Sequence, residues 1–236
     1  MECEITDHDR GIVVFGKSAR LQLESSWVHD NDTGIQYYSR FVEILRSTVS
    51  GNTGDGVLSV WGFSSDSARA PRILIADSTI SGNGDAGISE LVGLSGATER
   101  AARSRISRST IVGNGVGIDF SATVPVTTHR FRLDATILSA NVTDCNVAIR
   151  SDGYNFLGAV CAANFVIGSG TAPDVIGDDP MLGPLQNNGG DTLTHEPVGG
   201  SPVLEVVGRR SSCRNADQRL VARLPEPCDI GAVETP

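Results

Sequence analysis

The sequence predicts an all-β protein: a right-handed parallel β-helix, a single-stranded solenoid, that ends in an irregular, disulfide-containing C-terminal cap. Three observations predict this fold. A short motif recurs along the chain, apolar and polar residues alternate around it, and the 236 residues include 27 glycines but only 5% aromatics. Small residues at tight corners, with short strands between them, are typical of a turn-rich β architecture.

The recurring motif is an aliphatic residue followed eight positions later by an asparagine. Its copies run from Leu23 to Asn31, Ile44 to Asn52, Ile75 to Asn83, Ile106 to Asn114 and Leu133 to Asn141. The asparagines are therefore 21, 31, 31 and 27 residues apart. Self-similarity at this length indicates a solenoid. Because the motif is constant while the period varies, the extra residues are expected in loops between coils.

The residues around the motif favour strands and turns. Val42 and Ile44 flank Glu43, and such alternation predicts a strand with one buried face. The Ser-Thr-Val and Ser-Thr-Ile steps favour β structure, while Gly-Asn and Asn-Gly are turn chemistry. Successive coils should then stack at the ordinary strand separation of about 4.8 Å.

An asparagine at one place in every coil is expected to be structural. Its side chain can bond backbone groups in a turn and also the equivalent amides above and below, which satisfies polar groups inside the bend. The residues concerned are Asn31, Asn52, Asn83, Asn114 and Asn141. The alternative is an exposed row of amides that binds a ligand.

A leucine-rich-repeat solenoid is the main architectural rival. It has a similar repeat length and an apolar-x-x-Asn step, which occurs here from Ile80 to Asn83. The consensus leucines are missing, however, and no helical face follows the asparagine. The motif therefore favours the β-helix.

The repeat divides the chain into coils over residues 1–141 and a second region, 142–236, that holds the last coil or coils and the cap. A solenoid needs an end cover, because its last coil otherwise exposes strand edges and apolar core. Three excursions interrupt the coils, at 59–69, 90–103 and 120–130, and the second could hold a short helix over 97–103. We interpret them as solvated insertions, with partner binding as the alternative.

Five cysteines are present, and four of them lie in the non-repetitive region. We expect Cys145–Cys161 and Cys213–Cys228, because each pair closes a short local loop, although four cysteines permit three pairings. The alternative is a set of reduced, buried thiols. Disulfides would place the protein outside the cytosol. Cys3 is then the odd residue, expected to have lost a partner upstream.

Charge and hydropathy exclude some partners. The net charge of −9 disfavours nucleic acid and anionic membranes. No segment approaches the roughly 18 consecutive apolar residues of a membrane span. The first residues lack a basic start followed by an apolar run, so they do not form a signal peptide. They already look like the middle of a repeat, so a fragment of a longer, exported product is expected.

A long C-terminal run of residues resembles a known family. It comprises Asp-Pro-Met-Leu-Gly-Pro-Leu-Gln-Asn-Asn-Gly-Gly at 179–190, Asp-Thr-Leu-Thr-His at 191–195, Gly-Ser-Pro-Val at 200–203, Ala-Asp-Gln-Arg at 216–219 and Cys-Asp-Ile-Gly-Ala-Val-Glu at 228–234. With the coil motif and Gly153-Tyr-Asn-Phe156, this run is similar to that of bacterial choice-of-anchor Q domain proteins. These belong with polymorphic outer-membrane-type β-helix surface proteins.

That resemblance implies a secreted or surface-displayed β-helix, usually ahead of an anchoring signal, and it carries over no catalytic residue. The chain departs from the family at three points. It ends at Pro236 without a sorting tail, it has no N-terminal signal, and Leu220 stands where a glycine usually follows Arg219.

One cluster of residues suggests chemistry. Asp7, His8 and Asp9 precede His29, Asp30 and Asp32 by about one coil, so stacking would gather four carboxylates and two imidazoles. Such groups could bind Ca²⁺ or act as acid and base. The alternative is a polar turn at an exposed end. Later coils place Gly51 and Gly82 in the same positions.

Other polar residues are expected to be structural. His195 should be a hydrogen-bonding residue of the cap, and Asp217 with Arg219 should pin the terminal loop. No catalytic, cofactor or metal residue is assigned.

The function predicted from these observations is a non-catalytic, exported or cell-surface β-helix. It would be a monomeric stalk, adhesin or passenger that binds carbohydrate or another surface partner. The alternative is a polysaccharide lyase or glycoside hydrolase acting on acidic polysaccharide, which would need exposed carboxylates clustered across several coils.

Overall fold

Short strands with alternating burial form three parallel sheets in the computed structural model. The structure describes residues 3–16, 18–39, 41–61, 72–92, 103–122, 130–165, 172–208, 212–213 and 216–235. We call the sheets A, B and C, in the order in which the chain first enters them.

Sheet A has eight strands: β1 (Glu4–Ile5), β4 (Trp27–His29), β7 (Thr48–Ser50), β10 (Thr79–Ser81), β13 (Thr110–Val112), β16 (Ile137–Leu138), β19 (Phe156–Leu157) and β20 (Val175–Ile176). Sheet B has six: β2 (Arg10–Val14), β5 (Thr33–Tyr37), β8 (Val57–Trp61), β11 (Ala86–Val92), β14 (Val116–Ala122) and β17 (Thr143–Cys145). Sheet C has six: β3 (Arg20–Glu24), β6 (Phe41–Leu45), β9 (Arg72–Ala76), β12 (Arg103–Ser107), β15 (Arg130–Asp134) and β18 (Ile149–Ser151).

The chain visits sheets A, B and C in turn, so each full coil contributes one strand to each sheet. In-register stacking places equivalent aliphatic residues on top of one another inside the coils. Val49, Ile80 and Ile111 form one such column in sheet A, and all three are fully buried in one continuous core. The architecture is a three-sheet parallel β-helix. It differs from the leucine-rich alternative because each full coil consists of three strands.

The predicted asparagine ladder is present at the bend between sheets A and B. The Nδ2 of Asn52 donates to Oδ1 of Asn83 over 2.8 Å, and the Nδ2 of Asn83 donates to Oδ1 of Asn114 over the same distance. Each Oδ1 also accepts the backbone N–H of the asparagine one coil before. Asp144 ends the row, because its Oδ1 accepts the backbone N–H and Nδ2 of Asn141. The structural interpretation of these amides is confirmed.

The glycines that follow the ladder have a steric reason. A Cβ on Gly34 would lie 2.6 Å from the carbonyl oxygen of Gly56 in the next coil. Only glycine permits coils to approach this closely at the corner. The Gly-Ile and Gly-Val steps seen in the sequence mark this contact.

A second ladder, of hydroxyl groups, lies at the bend between sheets C and A. The backbone N–H of Ser26 donates to Oγ of Ser47 over 3.2 Å, and the N–H of Ser47 donates to Oγ of Ser78 over 3.2 Å. Each hydroxyl in turn donates to a carbonyl two residues earlier, as Ser47 does to Leu45 over 2.7 Å. The first serine of the Ser-Thr-Ile motif is therefore a corner residue.

The last coil departs from the three-strand pattern. Helix α1 (Ala159–Phe165) follows β19 and packs against β17, the last strand of sheet B. The disulfide Cys145–Cys161 joins that strand to the helix. The second disulfide links Cys213 to Cys228, so both predicted pairs are confirmed, and Cys3 is a free, exposed cysteine. Within the described residues, no helix is long and apolar enough to cross a membrane.

The described residues from 178 to 235, which we call the lateral segment, take a path that differs from the expected end cover. They lie along the outer face of sheet A and reach back to its third strand, where Leu193 O accepts a 2.6 Å hydrogen bond from Oγ1 of Thr48. Further along, Oγ1 of Thr110 accepts the N–H of Ala232. The segment therefore covers a side of the solenoid.

A second apolar core explains this path. Sheet A turns Val112, Ile137 and Phe156 outward, and they pack against lateral residues such as Val203 and Ile230. Burial of apolar side chains on both faces of these rungs makes the lateral position favourable.

The three excursions lie mostly outside the described residues, which omit 62–71, 93–102 and 123–129. The helix expected over 97–103 also lies there, apart from Arg103, the first residue of β12.

Candidate functional site

The predicted acidic cluster lies at the bend between sheets A and B in the first two coils. The backbone N–H of Asp7 donates to the carbonyl of Asp30 over 3.3 Å, and the register of the next strands places Asp9 beside Asp32. All four side chains are exposed. The predicted alignment of the aspartates is present, on the solvent side of a turn.

The two imidazoles of this cluster do not stack, because His8 is in register with Asn31. The N–H of His8 donates to Oδ1 of Asn31 over 3.2 Å. His29 is buried and stacks on Trp27 with a centroid distance of 3.6 Å. Its Nδ1 lies 2.7 Å from Asp30, and its Nε2 lies 3.0 Å from Glu4. Across the described residues, no group of three or more His, Cys, Asp or Glu side chains is placed to hold a metal ion.

His195 and the Asp217–Arg219 pair fix the lateral segment, as predicted. His195 Nε2 lies 2.7 Å from Oγ of Ser81 on sheet A, and its Nδ1 lies 2.7 Å from the carbonyl of Gly183. Burial lowers the pKa of this imidazole from its ordinary value. Arg219 Nε donates to Asp217 Oδ2 over 3.0 Å. These groups bind parts of the chain to one another.

The ladder amides are closed to ligands. Asn31, Asn52, Asn83 and Asn114 are each 1% exposed, and their side-chain groups are engaged in the ladder. The alternative of an exposed amide row is therefore wrong.

The outer faces of the three sheets remain as places for a partner, and they differ. The lateral segment covers sheet A from its third strand onward. Sheet B presents an aromatic pair in its first coils, Phe15 stacked on Tyr38 with a centroid distance of 4.5 Å. Sheet C presents rows of arginine.

The arginines of sheet C lie opposite one another on successive strands. Arg105 of β12 is in register with Arg132 of β15, and Arg132 is in register with Arg150 of β18. We call these three residues the arginine row. All three side chains are exposed. Because neighbouring strands lie about 4.8 Å apart, the row places one cation on each of three consecutive rungs.

A second line of arginine positions runs beside the row. Arg20 and Arg72 flank Phe41 in register on the first three strands of sheet C, and Arg103 pairs with Arg130 on later ones. The Arg20 guanidinium lies 5.6 Å from the ring centroid of Phe41. Sheet C therefore has arginine at several registered positions, in a chain whose net charge is −9.

Acidic neighbours fix the orientation of part of the arginine row. Nε and Nη2 of Arg132 donate to the two carboxylate oxygens of Asp152 over 3.1 and 2.7 Å. These hydrogen bonds raise the pKa of Arg132 above its ordinary value. Arg105 lies 3.7 Å from Asp134. Arg150 forms no ion pair with any residue that the structure describes.

This arrangement suits anion binding. The planar guanidinium offers several N–H donors in a geometry that matches carboxylates. Like charges that face each other on adjacent strands repel, so the row costs stability where no anion offsets it. An anionic ligand that lies across the strands would remove that repulsion.

Sequence reasoning missed the row, although a signal was present. The chain reads Arg-Ser-Arg-Ile-Ser at 103–107 and Arg-Phe-Arg-Leu-Asp at 130–134, at equal distances from the coil motif. Alignment of the coils on the motif stacks these arginines. The net charge of −9 is a sum over the whole chain, so it does not reveal that arginines share one sheet.

No protein-family model, curated protein or solved structure matches the chain.

Proposed function

We propose that the chain is an exported, non-catalytic β-helix of right-handed sense that acts at the cell surface as an adhesin-like, carbohydrate-binding module. The open outer face of sheet C carries the proposal. On that face three consecutive coils present an exposed arginine in register, whereas the lateral segment covers sheet A.

Two features support export and coil sense. The disulfides Cys145–Cys161 and Cys213–Cys228 are typical of proteins that fold in oxidising compartments. Crossover connections between parallel strands of one sheet are right-handed in about 98% of cases, which favours a right-handed coil. The proposal includes membership of the choice-of-anchor Q group, supported by the C-terminal run from 179 to 234.

The internal polar ladders support a rigid structural role. The asparagine and serine rows satisfy the backbone at two corners of most coils. Local opening needs exposed backbone and few buried contacts, so these coils should resist proteolysis. A rigid body with one open face suits a stalk that displays a binding surface.

The test is binding of the disulfide-bonded chain to a panel of immobilised neutral and acidic polysaccharides, with the polymers analysed afterwards for cleavage. We expect retention on at least one polymer and no change in its length. Shortened chains would favour the lyase or hydrolase alternative, and failure to bind any polymer would contradict the proposal.

Export has a separate test. The chain is secreted to a bacterial periplasm, and its disulfide bonds are then identified by mass spectrometry without reduction. We expect both disulfides to be formed and Cys3 to be free. Four unpaired thiols at the other cysteines would contradict the proposed location.

A further inference from the structure

We propose that the arginine row binds a carboxylated polysaccharide whose chain lies along the solenoid axis, across β12, β15 and β18. This inference rests on the proposed function and deepens it, because it names the ligand class, the residues and the direction of the bound polymer.

The direction of the bound polymer follows from the register of the strands in sheet C. Arg105, Arg132 and Arg150 share one column that runs perpendicular to the strands, and the rungs repeat about every 4.8 Å. A linear polymer with an ionised group on its repeating sugar also presents charges in a line. The carboxylates of the polymer lie opposite the column of arginines when the polymer runs along the solenoid axis. A polymer lying along a single strand would meet only the arginines of that strand.

The ligand class follows from the chemistry of the cations. Lys17 is the only lysine among the 19 basic residues of the chain, and every member of the row is arginine. Arginine pairs with carboxylates through two parallel N–H donors, which lysine cannot do. Arg132 already binds the Asp152 carboxylate through Nε and Nη2, so its Nη1 remains to reach a ligand.

The charge distribution favours a polysaccharide over a nucleic acid. The whole chain carries −9, and nucleic-acid binding depends on neutralising many closely spaced phosphates. The row is narrow, and Glu43 of β6 stands in the same column, beyond Leu74 of β9 towards the N-terminal end. A slender polymer with spaced carboxylates fits a short cationic strip of this kind.

Arg150 is the residue whose substitution tests the proposal most directly. It is exposed and has no ion pair with the described residues, so its replacement should not disturb the fold. Arg132 and Arg105 have acidic neighbours, and their variants need a check of folding by circular dichroism and protease resistance.

The experiment measures the affinity of the full disulfide-bonded chain for polygalacturonate by calorimetry, with the fully methyl-esterified polymer as the matched neutral ligand. We expect binding of the acidic form alone. Arg150→Gln should weaken it about threefold to tenfold, consistent with the loss of one charge-assisted contact. The triple variant Arg105→Gln, Arg132→Gln, Arg150→Gln should weaken it by about a hundredfold.

The control variant is Arg10→Gln, which removes an exposed arginine at the start of β2 in sheet B. It changes the net charge by the same amount as Arg150→Gln and should leave affinity unchanged. Raising the salt from about 0.05 M to about 0.5 M should weaken wild-type binding strongly, because exposed charges are screened.

Several outcomes would overturn the inference. Equal binding of the esterified polymer, or an equal loss in Arg10→Gln, would show that the row is not the site. Tighter binding of dextran sulfate would assign the row to sulfate, and tighter binding of duplex DNA would assign it to nucleic acid. Binding of neutral polysaccharide that survives the triple substitution would overturn this inference alone, whereas no binding of any polysaccharide would overturn the proposed function as well.

Discussion

The outer faces of sheets A and C are built from the same coils, yet they carry opposite kinds of residue. On sheet A, Thr48, Thr79 and Thr110 are almost fully buried beneath the lateral segment. On sheet C, Arg105, Arg132 and Arg150 are exposed on the consecutive strands β12, β15 and β18. Short hydroxyl and apolar side chains allow another segment to pack closely, whereas long cationic side chains remain in solvent. One side of the solenoid is therefore covered by the chain itself, whereas the arginines of another side remain exposed to solvent.

The largest expected effect is the loss of stability when a buried ion pair of the covered face is removed. Arg223 of the lateral segment is fully buried between Asp77 and Glu234, at 3.2 and 3.4 Å. Arg223→Met should lower the free energy of unfolding by about 3–5 kcal/mol, because it leaves the buried Glu234 carboxylate without its cation, whereas Asp77 keeps its pair with Arg108. Chemical denaturation measures this loss.

The matched change on the open face is Arg132→Met, which removes the exposed pair with Asp152. It should cost at most about 1 kcal/mol, because solvent screens such pairs. A loss as large as that of Arg223→Met would mean that sheet C is also a structural interface.

The next effect concerns the disulfide of the lateral segment. Cys213 and Cys228 are 15 residues apart, and closing a loop of about this length contributes roughly 3 kcal/mol in the chain-entropy model. The double variant Cys213→Ser, Cys228→Ser should loosen the segment and expose sheet A to protease. Polysaccharide binding by sheet C should persist, and loss of binding together with the cover would contradict the separation of the two faces.

A smaller effect is expected from a single hydroxyl. Thr79 Oγ1 donates to Oε1 of Gln218 over 2.7 Å in a buried setting. Thr79→Val should cost about 1–3 kcal/mol, because the Gln218 oxygen would lose its donor. The control is Thr143→Val on β17, where the threonine is exposed and the change should stay within about 0.5 kcal/mol. Thermal unfolding of both variants makes the comparison.

The sequence predicted the coils well because their determinants are local. The eight-residue step from an aliphatic residue to an asparagine placed the ladder, and short separation predicted both disulfides. The path of the lateral segment depends on contacts such as Thr48 with Leu193, which are 145 residues apart. No periodicity marks that segment, and propensity carries no information on contacts of this range.

The candidate site was only partly predictable. Aspartates of the first two coils were correctly aligned, but His8 falls in register with Asn31, so the expected imidazole pair does not form. The arginine row needs all three of its strands to be placed in register before it is visible. Its third member, Arg150, lies beyond the last copy of the motif. The motif therefore could not be used to align this residue with Arg105 and Arg132.

The smallest expected effect is a pH dependence of the covered face. Burial lowers the pKa of His195 from 6.5, so the unfolded chain binds its proton more readily than the folded one. Stability from this group is therefore present above about pH 6.5, the pKa in the unfolded chain, and is lost as the pH falls below it through the lower pKa of the folded chain. His195→Gln should remove this part of the dependence. An unaltered pH profile of unfolding in the variant would show that His195 does not contribute.

Hydrogen exchange of the full chain with and without polygalacturonate tests the division between the covered and the open face most directly. The amides of β12, β15 and β18 in sheet C should become better protected with the ligand, while those of the lateral segment and sheet A stay unchanged. Added protection confined to sheet A or the lateral segment, with none in sheet C, would contradict the account.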